Sequence, residues 1–369
     1  MKRAIVCVTN DLATDQRVHK TCLTLKKCGY EVMETGRLLP SSLPLNREYL
    51  TRRIKHIFNK GAMFYAEYNI RLFFFLLFSK VDLIYSNDLD TLPACFFASR
   101  LRKKQIIYDT HEYFTEVPEL VSRPKIQRIW EKIEEFIFPK LDKIITVNQS
   151  IANLYTEKYN KKLTIVKNIP ITYRPEYQKT REELNLPTEK HILILQGSGI
   201  NIQRGAEEAC LTMNYLPDNF LLLICGNGDA IPVVKDIVYK NHLENNVIFK
   251  PKMDFEGLRQ YTMAADLGLA IDKDTNINYH YSLPNKLFDY IHAGIPILAS
   301  KLVELEKIIN EFDIGYFIQN HKPEHIAATI QQIFENEEVY QQKKKNTIKA
   351  SQALNWENEE KILMKVIQS

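Results

Sequence analysis

The chain has 369 residues, of which 45% are hydrophobic and 25% are charged. This length predicts about two domains, and the composition excludes disordered, collagen-like and small disulfide-rich proteins. Residues 1–180 carry 30 Lys and Arg against 19 Asp and Glu, whereas residues 181–369 carry 19 against 26. The front half is therefore basic and the back half acidic, a difference that concerns binding partners and not the fold.

The six cysteines have neither paired nor zinc-binding spacing. The first residues lack the long apolar core and the cleavage site of a signal peptide. The longest apolar stretch, Leu72–Phe78, is far shorter than the roughly 20 residues that cross a bilayer. These features predict a reduced, cytoplasmic protein.

In the front half, short apolar runs alternate with helical patterns. Continuous apolar runs are typical of buried strands in a parallel sheet. The predicted strands are Ala4–Thr9, Glu31–Thr35, Asp82–Tyr85, Gln105–Tyr108, Lys143–Val147 and Thr164–Val166. The predicted helices between them include Gln16–Cys28, Thr91–Arg102 and Lys125–Phe138.

The alternation stops around residues 168–188, a polar stretch with three prolines that we interpret as an interdomain linker. A second alternating series follows, and Trp356–Ile367 reads as a final amphipathic helix. The sequence therefore predicts an α/β protein with two doubly wound domains. The strands predicted in this series are Ile192–Gln196, Phe220–Cys225, Val247–Lys250, Leu267–Ile271, Ile295–Ala299 and Gly315–Ile318.

Polar residues follow several strands of the front half, where doubly wound folds bind their ligands. Asp15 and Arg17 could meet a hydroxylated substrate, although Asp15 is equally suited to cap a helix. Asp88 begins an Asp-Leu-Asp sequence that resembles a metal-binding motif only weakly, and we predict no metal. His111 and Glu112 suit acid–base chemistry or the binding of sugar hydroxyls.

Glycine-rich loops follow two strands of the back half. Gly197, Ser198 and Gly199 let a backbone approach a ligand closely, and Arg204 near the next helix could hold a diphosphate. The sequence of Gly226–Asn227 is explained equally well by a simple strand-to-helix turn. The spacing fits neither a P-loop nor a dinucleotide fingerprint.

A short apolar helix in the back half carries unusual polar residues. Asn285 opens this helix, and Lys286 lies in its first turn, where a diphosphate would bind favourably. Asp289, one turn further, could bind ribose hydroxyls. Helix capping alone explains Asn285 but not the pair of Lys286 and Asp289.

At these loops the chain resembles the GT-B nucleotide-sugar glycosyltransferases, in particular retaining family 4. The similar segments occur in the family's order and span nearly the whole chain. They are DQRVHKTCLTLKKCGYEV, IIYDTHEYF, IITVNQSIANLY with VKNIP, LQGSGINIQRG and SLPNKLFDYIHAGIPILAS.

The resemblance implies two Rossmann-like domains that face each other across a cleft. It implies an acceptor-binding domain over residues 1–172, a nucleotide-sugar domain over 173–352, and a terminal helix, 353–369, that packs back on the first domain. It also implies sugar transfer from a UDP-sugar or GDP-sugar with retained anomeric configuration. No metal or other cofactor is needed for that reaction.

By position, the resemblance assigns a role to each candidate. Asp289 corresponds to the acid that binds the donor ribose, and Arg204 and Lys286 lie where the family neutralises the diphosphate. His111 corresponds to a histidine close to the donor sugar. The catalytic set is thus His111, Arg204 and Lys286, and Tyr281 stands where the family usually has an acid. The donor-binding set is Gly197, Ser198, Gly199, Arg204, Gly226, Asn227, Asn285, Lys286 and Asp289, and the acceptor set is Asp15, Arg17, Asp88 and Glu112.

The acceptor is expected to be a glycan or a lipid-linked saccharide of surface polysaccharide assembly. Residues 52–80 combine basic residues with a dense aromatic run, which is typical of a buried helix or of a face on anionic lipid. We expect the basic residues to place the protein on the inner face of the cell membrane. The alternatives are a nucleotide-sugar epimerase and a sugar-nucleotide-binding scaffold without activity. Nucleic-acid binding is not predicted, because the basic half contains no recognised module.

Overall fold

The computed structural model describes residues 1–13, 15–40, 42–172, 177–197 and 199–369. The chain divides into two compact units. Unit 1 contains Met1–Asn168 together with Asn358–Ser369, and unit 2 contains Ile169–Glu357.

The described residues of unit 1 form a seven-stranded parallel sheet. Its strands are β1 (Lys2–Asp11), β2 (Tyr30–Arg37), β3 (Leu50–Ile54), β4 (Leu83–Asn87), β5 (Gln105–Thr110), β6 (Ile144–Thr146) and β7 (Thr164–Ile165). Their order across the sheet is β3-β2-β1-β4-β5-β6-β7, so the chain reverses its direction of winding between β3 and β4.

Helices connect most of these strands, as parallel strands require. They are α1 (Gln16–Lys27), α2 (Gly61–Phe78), α3 (Asp88–Arg102), α4 (Pro118–Val121), α5 (Pro124–Ile137) and α6 (Gln149–Tyr159), with short 3-10 helices at Phe114–Glu116 and Phe138–Lys140. Helices α2 and α3 share one apolar core with β1 and β4, whose members include Ile5, Cys7, Tyr68, Leu72, Leu76, Ile84 and Cys95.

The described residues of unit 2 form a six-stranded parallel sheet. Its strands are β8 (His191–Gly197), β9 (Phe220–Gly226), β10 (Val247–Lys250), β11 (Leu267–Ala270), β12 (Ile297–Ala299) and β13 (Gly315–Phe317). They lie in the order β10-β9-β8-β11-β12-β13, so the winding reverses between β10 and β11.

Helices alternate with these strands, and the last helix returns to unit 1. They are α7 (Ala206–Thr212), α8 (Ile231–Lys240), α9 (Phe255–Ala264), α10 (Ile277–His280), α11 (Asn285–Ala293), α12 (Val303–Phe312), α13 (Pro323–Glu335), α14 (Glu337–Ala353) and α15 (Trp356–Gln368), with a 3-10 helix at Met213–Tyr215. In α15, Glu359, Leu363 and Ile367 are buried one turn apart. Glu359 accepts a hydrogen bond from the Lys167 backbone N–H of unit 1 at 2.8 Å.

The two parallel sheets with alternating helices confirm the predicted α/β fold of two doubly wound domains. Buried strands such as Ile192–Leu195 and Leu221–Ile224 are the continuous apolar runs from which they were predicted. Within the described residues, no helix combines the length and the apolar character that a membrane crossing needs.

Residues 52–80, for which the sequence allowed a buried helix or a face on anionic lipid, are two elements. Its first residues lie in the edge strand β3, and the helix α2 begins only at Gly61. Strand β3 has no apolar run because it is an edge strand whose first three residues are exposed. A strand that buries neither face gives no signal of burial in the sequence.

Candidate functional site

Two glycine loops meet at the carboxyl edge of the unit 2 sheet. Gly197 at the end of β8 pairs with Gly226 at the end of β9. Gly226 has a φ of +137°, and a Cβ there would lie 1.9 Å from the Gly197 carbonyl oxygen. The Ile200 N–H donates to the Asn227 carbonyl at 2.8 Å, which ties the loops together. Glycine is therefore required by the close approach at Gly226, which a simple turn would not demand.

Of the predicted donor loop, Ser198 lies outside the described residues, and Gly199 is half-buried beside it.

Arg204 lies at the same edge, between these loops and helix α7. Its guanidinium covers the Tyr279 ring, with 4.9 Å from Cζ to the ring centroid, and the side chain is 33% exposed. Its Nε lies 4.0 Å from the Asp272 carboxylate. The next residue, Gly205, has a φ of +80° and leaves no room for a Cβ against the Ile271 carbonyl. The loop thus holds a partly exposed cation at a fixed place.

Lys286 occupies the first turn of α11, as predicted, but it is buried. Its Nζ lies 2.8 Å from the Asp272 carboxylate, and the two side chains are 9% and 4% exposed. Asp272 therefore lies between Lys286 and Arg204 and links the two cations that were predicted to neutralise a diphosphate. The sequence prediction did not include Asp272. The sequence feature that could have identified Asp272 is its position directly after the apolar run that forms β11.

Asp289 lies one turn further along α11 and is half-buried. Its carboxylate accepts a hydrogen bond from the Gln196 side chain at 3.1 Å, and Gln196 in turn accepts one from the Thr262 hydroxyl at 2.7 Å. Since Gln196 directly precedes Gly197, this contact places Asp289 beside the glycine loops. Asn285 is exposed at the helix start. The predicted donor residues that the structure describes thus share one edge of unit 2.

Tyr281 directly follows α10 and begins the short loop that leads into α11. Its ring meets the His280 ring edge-on at 4.5 Å, and His280 contacts Asp274 at 2.8 Å. The aromatic side chain where the resembling family usually has an acid is thus packed within its own loop.

At the carboxyl edge of the unit 1 sheet, Arg17 and Asp109 form a buried ion pair. Two guanidinium nitrogens contact the Asp109 carboxylate at 2.7 and 3.2 Å, and the side chains are 3% and 1% exposed. Arg17 also donates to the Val166 carbonyl at 2.9 Å, and the Tyr85 hydroxyl donates to Asp109 at 2.7 Å. Burial disfavours the Asp109 carboxylate, but Arg17 and His111 outweigh it and hold the pKa of Asp109 well below its usual range.

This burial changes the role that Arg17 can have. It was predicted on the acceptor side, but its guanidinium is committed to Asp109 and Val166 inside the unit. We therefore interpret Arg17 as a residue that positions Asp109.

His111 lies between two carboxylates. Its Nδ1 is 3.2 Å from Asp88, its Nε2 is 3.7 Å from Asp109, and its backbone N–H donates to Asp88 at 2.9 Å. Burial opposes the charged ring, but the charges of Asp88 and Asp109 outweigh it and raise the pKa of His111 to about 10. Asp88 itself has a φ of +57°, a rare backbone conformation for a residue other than glycine. The two carboxylates thus favour the doubly protonated ring.

Asp90 is a buried acid at the same edge that the predicted site did not include. It accepts a hydrogen bond from the Thr9 hydroxyl at 2.5 Å, while its other oxygen has no hydrogen-bond partner among the described residues. Burial, with a smaller contribution from Asp88, raises the pKa of Asp90 to about 7.

The two remaining acceptor-side candidates lie at the surface of unit 1. Asp15 caps α1, since its carboxylate accepts the Val18 N–H at 3.0 Å, which is the helix-cap alternative that its position allowed. Glu112 is exposed beside His111.

We expect His111 to remain doubly protonated at neutral pH. Its folded pKa lies above the ordinary value of 6.5, so the stabilisation by Asp88 and Asp109 is complete below pH 6.5 and is lost as the pH rises through about 10. An NMR titration of the ring should give a midpoint near 10 that falls in Asp88→Asn and not in Asp254→Asn, which alters a helix cap of unit 2. A midpoint near 6.5 in the unaltered protein would contradict the assignment.

The two doubly wound units and the glycine-lined edge with its cations are those of a GT-B protein. Residues 176–350 match the family described as glycosyl transferases group 1. This match covers just under half of the chain. It confirms the resemblance to the GT-B glycosyltransferases and the prediction of a transferase enzyme, a glycosyltransferase.

Solved structures of low sequence identity have the same fold. Sucrose-phosphate synthase from Thermosynechococcus elongatus is 17% identical with a TM-score of 0.79, covering 100% of this chain and 98% of that chain. HepE of Anabaena in complex with UDP-glucose is 13% identical with a TM-score of 0.77, covering 100% of both chains. A UDP-N-acetylglucosamine 2-epimerase is 13% identical with a TM-score of 0.67, covering 100% of this chain and 96% of that chain. The comparison with curated proteins gives no match.

Proposed function

We propose that this protein transfers a sugar from a UDP-sugar or GDP-sugar to a hydroxyl of a lipid-linked saccharide, with retained anomeric configuration. The observation that carries the proposal is the linked set of Arg204, Asp272 and Lys286 beside the Gly197–Gly226 contact. It combines cations with a backbone that a diphosphate can approach closely. HepE, of similar fold, was solved in complex with UDP-glucose, which agrees with such a donor.

The donor would be held entirely by unit 2. The loops at Gly197 and Gly226 take the diphosphate, with Asn227 and Asn285 as further polar contacts. Arg204 supplies the accessible positive charge, because Lys286 is buried and Asp272 already balances it. The half-exposed Asp289 carboxylate, oriented by Gln196, accepts hydrogen bonds from the ribose hydroxyls.

The chemistry that we propose is mainly stabilisation of charge. The bond between the sugar C1 and the diphosphate oxygen breaks with its electron pair on the leaving phosphate. The acceptor oxygen forms a new bond to C1 on the same face, and its proton goes to a leaving phosphate oxygen. Arg204 stabilises the negative charge that develops there, and no protein base or metal is required. In unit 1, His111 contributes positive charge at the edge of the sheet, since its Nδ1 is held by Asp88 and its Nε2 is buried.

A screen of nucleotide sugars by thermal shift, followed by assays of donor hydrolysis and transfer, tests this function. We expect one UDP-sugar or GDP-sugar to stabilise the protein and the product to keep the donor's anomeric configuration. An inverted product would contradict the retaining mechanism. Isomerisation of the donor sugar would indicate an epimerase, and tight binding without turnover would indicate a scaffold.

We also propose that unit 1 rests on an anionic membrane through helix α2. One stripe of this helix exposes Met63, Ile70, Phe74 and Phe78, although its opposite face is buried in the core. Of the basic residues predicted there, Arg71 on α2 is paired with Glu67 at 2.8 Å. Arg52 lies on the Phe75 ring, and Arg53 reaches towards Asp11. An apolar stripe next to cations suits an interface rich in anionic lipid. Lys60 and Lys80 are exposed at the two ends of α2 and add positive charge there.

We expect the protein to sediment at low salt with vesicles of phosphatidylglycerol and phosphatidylcholine, and less with phosphatidylcholine alone. Phe74→Ser should weaken that binding about tenfold, since one aromatic ring no longer enters the lipid. Tyr239→Ser, which alters an exposed aromatic residue of unit 2, is the matched control. Equal binding of all three proteins would refute the role of α2.

A further inference from the structure

An apolar groove runs along the surface of unit 1 between helices α3 and α5. It has a volume of about 370 Å³ and is lined by Pro93, Phe97, Ile129, Lys132, Ile133 and Phe136. Phe97 is 46% exposed, Ile129 58% and Phe136 53%, so that these side chains face the solvent and not the core. No described residue covers the groove.

The groove continues towards the start of α5. A second hollow of about 440 Å³ is lined by Pro124, Lys125, Arg128, Ile129 and Lys132. Ile129 and Lys132 line both hollows, which therefore adjoin, and we refer to the two together as the channel. From Pro124 to Phe136 this channel follows roughly 18 Å of helix.

The channel has a direction because α3 begins directly at the carboxyl edge of the sheet, and α5, which follows β5 after residues 111–123, packs alongside it. That edge carries Asp88 and His111, and α3 starts at Asp88 itself. At the opposite end Lys140 lies on the Phe136 ring, with 3.1 Å from Nζ to the ring centroid, and its carbonyl accepts from Arg100. The apolar floor thus leads away from the site residues of unit 1.

The cations that line the hollow beginning at Pro124 differ in their partners. Arg128 is paired with Glu131 at 2.9 Å and lies 3.7 Å from Glu135. Lys125 and Lys132 form no ion pair with any described residue. Two uncompensated ammonium groups therefore line the hollow that begins at Pro124, and Lys132 also borders the apolar groove.

We propose that this channel binds the single alkyl or prenyl chain of the lipid-linked saccharide acceptor, with the phosphate that joins the lipid to the saccharide at Lys125 and Lys132. The inference rests on the proposed glycosyl transfer and specifies its acceptor as an amphiphile with an anionic head. The apolar lining removes the chain from water, and the two lysines complement the charge of the head.

Isothermal titration of the full chain with dodecyl phosphate at monomeric concentration tests the proposal without any nucleotide. Decyl and octyl phosphate should bind about fourfold more weakly for each two carbons removed, because the open groove covers about half of the chain. Inorganic phosphate should not bind measurably, and dodecyl maltoside should bind more weakly than dodecyl phosphate. Equal binding of all chain lengths, or of inorganic phosphate, would overturn the proposal.

Variants locate the site. Phe97→Ser and Ile129→Ser should weaken dodecyl phosphate binding about tenfold, and Lys125→Gln with Lys132→Gln should remove the preference over dodecyl maltoside. Phe74→Ser on α2 is the matched control and should leave both ligands unaffected. Two results in the groove variants would overturn the proposal if dodecyl phosphate binding is unchanged. Loss of vesicle binding would assign the groove to a bilayer, and loss of a dimer would assign it to a second copy of the chain.

The two proposals can fail separately. Chain-length-dependent binding that maps to the groove, in a protein without transferase activity, would support the groove and refute the proposed transfer. Donor turnover without such binding would support the proposed transfer and refute the groove.

Discussion

Arg204→Ala is expected to lower kcat for sugar transfer by about 100- to 1,000-fold while changing the donor affinity much less. Removal of a fixed donor group at a developing negative charge has effects of this size. Arg204 is the group concerned because it is held on Tyr279 and is partly exposed, whereas Lys286 is buried against Asp272. Steady-state kinetics together with donor binding by calorimetry separate the two effects.

Asp289→Ala should weaken donor binding more than it lowers kcat. It removes hydrogen bonds to the ribose, which are present before and during the reaction, so the donor Kd should rise about tenfold with a smaller change in kcat.

For Arg204→Ala, the control for loss of positive charge is Lys240→Ala, which alters an exposed cation at the far end of α8. Unchanged kinetics in both Arg204→Ala and Asp289→Ala would refute the donor site.

Asp109→Asn is expected to destabilise unit 1 by about 3–5 kcal/mol. The substitution keeps the shape of the side chain but leaves the Arg17 guanidinium buried without its counter-ion, which is far more costly than losing an exposed pair. It also removes one of the two carboxylates that keep His111 protonated. The measurement is the free energy of unfolding in urea, followed by a signal from unit 1 such as the fluorescence of Trp130.

The matched control is Glu31→Gln, which breaks the exposed pair of Arg3 and Glu31. Its 2.7 Å contact is as short as that of Arg17 with Asp109, but the side chains are largely in water, so the loss should stay below about 1 kcal/mol. Similar losses in both variants would show that burial of the Arg17 pair does not determine its contribution.

The sequence predicted most of the sheet and the edge at which the site lies. Runs such as Ile192–Gln196 can be interpreted without further information because a strand that is buried on both faces must be apolar throughout. The glycines at Gly197 and Gly226 mark the loops that follow, and the order of the similar segments identified the fold family. Strand β3 was missed for the complementary reason, since an exposed edge strand carries no such run.

The sequence by itself therefore determined the class of fold, the succession of strands and helices, and the loops that carry polar residues. Only the tertiary structure decided which of these residues are accessible and which neutralise one another. Arg17 and Asp109 are 92 residues apart, and nothing in either segment indicates that they form a buried pair. Asp272 likewise balances Lys286 only because β11 ends beside the first turn of α11. The physical reason is that burial and charge pairing depend on contacts between distant segments, whereas periodicity and turn residues are local.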